Sequence, residues 1–179
     1  MARKFTTSIN IIRDKGKDYR YIPTPNATRI VNQISNDFKK GGRSYNIIGS
    51  YGTGKSSFLW ALQETIDNNK KYFKVNLLPQ PNCGFINLIG EYKSIREAFV
   101  DYLQIGKSKS NTENIFSELF NRYHDLGKNN PLLFIFIDEF GKFLEYASQN
   151  EPEKEIYFIQ QLAEFVNNTD LNILLITTV

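Results

Sequence analysis

The stretch Gly49-Ser50-Tyr51-Gly52-Thr53-Gly54-Lys55-Ser56-Ser57 sets three glycines ahead of one lysine and two hydroxyls, between two apolar runs. That composition suits a ligand with dense negative charge. Glycines let the backbone curl close to it, so main-chain N–H groups meet phosphate oxygens without bulky side chains intervening. A helix starting at the lysine adds unpaired N–H groups and the positive end of its dipole. The spacing G-x-x-x-x-G-K-[ST] then assigns tasks. Lys55 reaches the β- and γ-phosphates, and the Ser56 hydroxyl is placed to ligate Mg²⁺. Glycine is about 7% of an average chain, so chance rarely assembles the whole pattern in a short sequence.

A second constellation is Leu132-Leu133-Phe134-Ile135-Phe136-Ile137-Asp138-Glu139, an apolar run ending in two acids, the Walker B pattern. Asp138 is expected at the carboxyl end of a strand, beside the phosphate loop, where it holds Mg²⁺. Glu139 is expected to orient and deprotonate a water for attack on the γ-phosphate. The adjacent glutamate points to a hydrolase that uses water rather than to a kinase, and no Arg-rich lid is evident. Asp138-Glu139-Phe140-Gly141 also matches D-x-x-G of GTPases, but the sequence holds no Asn-Lys-x-Asp for guanine. Catalysis is thus assigned to Glu139 and Lys55, nucleotide contact to residues 49–57, and the metal to Ser56 and Asp138.

The elements around these residues read as an alternation of strands and helices. Residues 1–20 are polar and basic and read as an extended arm; residues 21–179 read as the catalytic core. Pro23 and Pro25 hold the chain extended, Asn26 can cap a helix, and Ile30, Ile34 and Phe38 share a face with Val31 beside them. Gly41-Gly42 ends that helix. Residues 44–48 form a strand, 49–54 a loop, and 55–68 a helix. Either KYFKVNLL or GFINLI supplies the next strand. GFINLI is preferred, because Pro79, Pro81 and Asn82 interrupt the earlier run. A helix follows at 93–104, a loop at 105–112, and a helix carrying Ile115, Leu119, Tyr123 and Leu126. PLLFIFID reads as a strand buried on both faces. A helix over 151–168 and a buried strand, LNILLITT, complete the series. The pattern predicts an α/β fold: a parallel sheet sandwiched between helices, with right-handed crossovers.

Composition narrows the classes further. Hydrophobic residues are 41% and charged residues 23%, as in a globular domain. The net charge of +3 permits nucleic acid as a partner without arguing for it. Cys83 is the only cysteine, so no internal disulfide forms, and His124 is the only histidine. A reducing, cytoplasmic setting fits. No apolar stretch follows the basic start MARKFTTSIN, and Leu132–Ile137 is too short to span a bilayer. The segment Tyr21-Ile22-Pro23-Thr24-Pro25 either packs on adenine or serves as ordinary packing of the N-terminal extension. Phe116, Phe120, Phe158 and Phe165 read as core or partner-facing surface.

Taken together, GSYGTGKSS, LLFIFIDE and LNILLITT resemble the AAA+ and related P-loop ATPases, over roughly residues 20–179. The upstream YIPTPNATRIVNQI is similar to the segment that helps enclose adenine in origin-recognition and Cdc6-like ATPases. IDEFGKFLEYA and IYFIQQLAEF resemble ATP-binding proteins of bacterial anti-phage defence loci. The resemblance implies ATP and Mg²⁺ as cofactors. It implies that the strand ending in Thr177-Thr178 presents a polar residue, Thr178 or Thr177, to the γ-phosphate or its water; Thr178 is the one assigned. It also implies a further strand, an arginine finger and a helical lid after 179, so the chain is expected to stop short of the complete fold. The position after Thr178, where many relatives carry Asn or Arg, is Val179. The expected function is Mg²⁺-dependent ATP hydrolysis driving a motor or switch. The alternative is a regulatory nucleotide-binding module with little turnover that controls an effector. A homo-oligomer, an effector protein or nucleic acid are the candidate partners, and no membrane is implied.

Overall fold

The computed structural model describes residues 9–106, 110–168 and 170–179. Residues 1–8 of the expected arm and 107–109 of the expected loop lie outside these. Ten elements follow in order: α1 (Pro25–Phe38), β1 (Ser44–Ile47), α2 (Lys55–Ile66), β2 (Asn82–Ile89), α3 (Ile95–Leu103), α4 (Thr112–His124), β3 (Pro131–Asp138), α5 (Gly141–Gln149), α6 (Pro152–Val166) and β4 (Ile173–Thr178). The strands form one sheet in the order β1-β4-β3-β2, and every described pairing is parallel.

β3 explains the layering. Its alternate side chains feed two separate cores. Leu133, Ile135 and Ile137 pack with Ile86, Leu88, Ile173 and Leu175 under α3, α4, α5 and α6. Leu132, Phe134 and Phe136 pack with Leu174 and Ile176 under α1 and α2. The unbroken apolar run is therefore the sign of a strand covered on both faces, as expected. GFINLI lies in β2, while KYFKVNLL forms no strand.

Local chemistry sets the helix ends. The Thr24 hydroxyl accepts from the Ala27 N–H at 3.1 Å, so Thr24, and not Asn26, caps α1, with Pro25 in its first turn. The buried line of α1 is Ala27, Val31, Ile34 and Phe38, and Ile30 is only half-buried. Past its end, the buried Arg43 donates from Nη1 to Phe38 O at 2.9 Å and lies 4.1 Å from the Phe38 ring. The cation thus meets the negative end of the α1 dipole. Glu155 of α6 is buried and does the same service for α3 with opposite sign. It accepts from Ser94 Oγ at 2.6 Å and from the Ile95 N–H at 3.2 Å.

Two features depart from the sequence expectation. Residues 9–20 do not run as an extended arm. They turn at 11–16 and dock on α2, with Ile11 buried in the α1–α2 core. Trp60 Nε1 donates to Asp14 O at 2.9 Å, and Gly16 N–H donates to Glu64 at 2.8 Å. The Asp14 carboxylate is buried and held far below the usual range, first by a hydrogen bond from Arg13 and then by one from Lys17. Polar composition hid this docking, because the short apolar group Ile9, Ile11 and Ile12 is followed by the charged run from Arg13 to Arg20 and shows no helical or strand period. The second departure is α5, which was not anticipated. Its buried contacts are only Phe143 and Ala147, too few to mark a periodic stripe.

Candidate nucleotide-binding site

The carboxyl ends of the four strands are tied by a row of backbone hydrogen bonds. Val179 N–H donates to Ile47 O at 3.0 Å, and Gly49 N–H donates to Val179 O at 3.1 Å. Phe140 N–H donates to Thr178 O at 2.8 Å, and Gly90 N–H donates to Asp138 O at 2.7 Å. The loops that leave β1, β2, β3 and β4 therefore start from one fixed edge. In parallel α/β sheets that edge is where ligands bind.

The phosphate loop occupies the step from β1 to α2. Gly52 and Gly54 adopt φ of 81° and 87°, the left-handed region that favours glycine. A Cβ on Gly49 would lie 3.1 Å from Thr53 Oγ1. Thr53 Oγ1 donates to Ser50 O at 2.8 Å and closes the turn. The Lys55 ammonium folds back over the loop, donating to Gly49 O at 2.6 Å and Ser50 O at 3.0 Å. A cation is thereby held at the mouth of the curl with neutral carbonyls as its partners. Phosphate oxygens would bind it more strongly, because they add the attraction of opposite charges to a hydrogen bond that carbonyls offer only as neutral dipoles. Ser56 and Ser57 are half-buried in the first turn of α2, and Tyr51 projects into solvent.

Asp138 closes β3 beside this loop, one strand removed, with β4 between. It is 3% exposed. The Thr178 hydroxyl donates to Asp138 Oδ1 at 2.6 Å, and the Glu139 N–H donates to Thr178 Oγ1 at 3.1 Å and to Oδ1 at 3.2 Å. Thr178 is fully buried, and its proton is given to the carboxylate. It therefore orients Asp138 here. Thr177 points the other way, donating to Asn46 Oδ1 at 3.0 Å across to β1. Tyr21 lies outside this cluster and packs edge-on against Tyr72 and Phe73.

Glu139 sits at φ 54°, a left-handed conformation uncommon for a residue with a side chain. Two neighbours account for it. Thr178 holds its N–H, and Gly90 packs against its carbonyl so tightly that a Cβ on Gly90 would fall 1.9 Å from Glu139 O. The Glu139 side chain is half-exposed and pairs with Lys142 of α5, Nζ to Oε2 at 2.5 Å. That contact raises the Lys142 ammonium pKa, by the hydrogen bond first and by charge second. Gly90 and Lys142 were not singled out from sequence. The signal for Gly90 was its place immediately after the strand GFINLI. Lys142 gave none without α5.

Gly90→Ala is accordingly expected to push the end of β2 off β3. The clash is with backbone, which cannot swing aside, so a loss of about 1–3 kcal/mol is expected, as for other overpacked sites. Urea unfolding measures it, and an unchanged midpoint would contradict the close approach.

Ser56 and Asp138 present a donor set suited to a divalent cation. Ser56 offers a hydroxyl and Asp138 a carboxylate, both hard oxygen ligands, and both described hydrogen bonds to Asp138 fall on Oδ1 alone. Mg²⁺ commonly takes one or two protein oxygens and completes its shell with phosphate and water. The residues fit that ion. Among the described residues no group of three His, Cys, Asp or Glu could hold a metal by itself.

A parallel sheet between helices, with a glycine loop and lysine after β1 and a buried acid ending β3, is the fold of the P-loop nucleoside triphosphatases. A sequence model of the ATPase family associated with various cellular activities (AAA) matches residues 45–179, and the chain belongs to that family. Two solved structures are similar. One is Drosophila ORC bound to DNA, at 15% identity and TM-score 0.57, covering 99% of this chain and 46% of that one. The other is C. elegans PCH-2, at 15% identity and TM-score 0.49, covering 88% of this chain and 38% of that one. The chain thus spans less than half the length of either, and the likeness to ORC concerns the fold. No curated protein sequence matches the chain. Among the described residues no helix is long and apolar enough to cross a membrane.

Proposed function

We propose that this chain binds ATP with Mg²⁺ and hydrolyses its terminal phosphoanhydride. The observation that carries the reading is the hydrogen-bonded set Asp138–Thr178–Glu139, anchored on two adjacent strand ends, one strand from the phosphate loop. The loop amides of residues 49–54 and the first turn of α2 cradle the phosphates, and Lys55 leaves the carbonyls of Gly49 and Ser50 to pair with β- and γ-oxygens. Ser56 and Asp138 would hold the cation, with Thr178 fixing the carboxylate. Bound there, Mg²⁺ would offset negative charge on the triphosphate. Glu139 turns from Lys142, orients a water opposite the leaving ADP and accepts its proton as the new P–O bond forms. The products are ADP and inorganic phosphate. The resemblance of IDEFGKFLEYA to ATP-binding proteins of phage-defence loci supplies the setting we favour, in which turnover switches a neighbouring copy or an effector protein.

A second reading has one observation in its favour. Glu139 is paired with Lys142 rather than free. If that pair persists with nucleotide bound, the chain is a binding module that assembles with an effector and scarcely turns over. Single-turnover hydrolysis at high protein concentration separates the two. Chelating Mg²⁺ with EDTA is expected to abolish hydrolysis and to weaken ATP binding by at least about tenfold. ATP affinity and turnover that are indifferent to EDTA would overturn the proposed metal role, and slow turnover with intact Mg²⁺-dependent binding would select the second reading.

A further inference from the structure

Lys142 breaks a local rule. It stands in the first turn of α5, where aligned peptide dipoles leave partial positive charge and acidic side chains are favoured. That turn holds no Asp or Glu, and no side-chain hydrogen bond caps it. A residue set against the preference of its own helix points to function when another element holds it there. Here the turn is fastened to the end of β4. Phe140 N–H donates to Thr178 O at 2.8 Å, and a Cβ on Gly141 would lie 3.5 Å from Val179 Cγ1. The lysine is thus presented over the carboxyl edge of the sheet by contacts that do not use its side chain.

Neighbours from the loops after β1, β2 and β3 act on this ammonium. Glu139 Oε2, after β3, lies 2.5 Å from Nζ. That hydrogen bond raises the Lys142 pKa most, and the Glu139 charge comes second; Tyr51 of the phosphate loop and Glu91 after β2 add to it through charge alone. Glu91 has its own cation in Lys93, at 3.3 Å. The Lys142 and Glu139 side chains are 54% and 43% exposed. An ion pair this open is weakly held, because water screens the attraction and two long side chains lose freedom in making it. A more highly charged anion arriving at the same edge would take the ammonium.

We propose that Lys142 exchanges partners when ATP binds, its ammonium leaving Glu139 for an oxygen of the γ-phosphate. This rests on the hydrolytic reading above. A carboxylate that holds the attacking water lies one water away from the γ-phosphorus. A cation in hydrogen-bond contact with that carboxylate then reaches a γ-oxygen by rotating its own flexible stem. The γ-phosphate carries more negative charge than one carboxylate and so holds the ammonium more strongly. The exchange also frees Glu139 for its task. The bonding change is that of hydrolysis: the water oxygen joins phosphorus, the bond to the β–γ bridging oxygen breaks with its electron pair going to ADP, and the water proton goes to Glu139. Lys142 offsets charge on the γ-oxygens meanwhile. One lysine therefore occupies the base in the free chain and serves the reaction in the loaded one.

ADP lacks the γ-phosphate, and the test uses that difference. Lys142→Met and Lys142→Arg are each combined with Glu139→Gln, which turns ATP over too slowly to disturb binding, and titrated calorimetrically with ATP and with ADP in the presence of Mg²⁺. Lys142→Met is expected to raise Kd for ATP by at least about fivefold and to leave Kd for ADP within about twofold, while Lys142→Arg keeps the ATP affinity. With Glu139 intact, Lys142→Met is expected to slow single-turnover hydrolysis at saturating ATP by at least about tenfold. A merely structural ion pair would not separate ATP from ADP. Equal changes for the two nucleotides, or no change for either, would overturn the exchange. Faster hydrolysis by Lys142→Met would overturn it too, leaving the lysine as a restraint on Glu139. Lys55→Ala, titrated alongside, tells the two failures apart. If it loses ATP while Lys142→Met shows no ATP-selective effect, the exchange alone is wrong; if it binds ATP as wild type does, the phosphate cradle and the exchange both fall.

Discussion

Glu139→Gln is expected to bind ATP within about twofold of wild type and to lose single-turnover hydrolysis by a factor on the order of 10²–10⁴, the usual contribution of a positioned general base. The variant is nearly isosteric. It leaves the backbone hydrogen bonds of Glu139 to Asp138 and Thr178 in place, since these use its N–H. What it removes is the proton acceptor, and with it the ion pair to Lys142. That pair is half-exposed on both sides, so its loss is expected to change stability little. Turnover that survives the substitution would remove Glu139 from the chemistry. Another acceptor would then be required at the same strand edge.

Lys55→Ala is expected to weaken ATP binding by about a hundredfold or more, from the loss of charge-assisted hydrogen bonds at roughly 1.5–3 kcal/mol each. Among the described residues the ammonium donates to the carbonyls of Gly49 and Ser50. These carbonyls lie in a loop open to water, so the fold is expected to hold. The measurement is ATP-induced thermal stabilisation beside direct titration. Stabilisation by ligand follows RT ln(1 + [L]/Kd), so the variant should show little or none at ATP concentrations that shift wild type clearly. Equal binding by the two proteins would show that residues 49–56 do not form the triphosphate cradle.

Much of the architecture was legible because it rests on local, repeated signals. The run Leu132–Ile137 could be assigned to a strand buried on both faces, since a one-sided strand would alternate with polar residues. The phosphate loop could be located because its glycines are demanded by backbone geometry at Gly52 and Gly54. Signals that depend on a single contact were weaker. Of Ile9, Ile11 and Ile12 only Ile11 is fully buried, and its burial depends on a groove that α2 and its neighbours create. Thr24 displaced Asn26 as the helix cap because Pro25 had to fall in the first turn, where its fixed φ and missing N–H are harmless. Of Thr177 and Thr178, both β-branched strand residues, strand alternation sends one toward Asn46 and the other toward Asp138.

The residue types of the chain determined by themselves that a phosphate-sized curl precedes a helix, that an acid ends a buried strand, and that the sheet is parallel. Those properties follow from backbone permissiveness and from hydrophobic periodicity, both written in contiguous residues. Tertiary structure alone decided what surrounds Glu139. Its left-handed backbone is held by Thr178 from β4 and by Gly90 from the end of β2, and its carboxylate is held by Lys142 from α5. Thr178 and Gly90 are dozens of positions distant in the chain, and Lys142 had no assigned helix to place it. The contacts of Thr178 and Gly90 with Glu139 exist only because parallel pairing brings the strand ends to one edge, whereas the Lys142 pair is local, three residues on, and needs only the turn into α5.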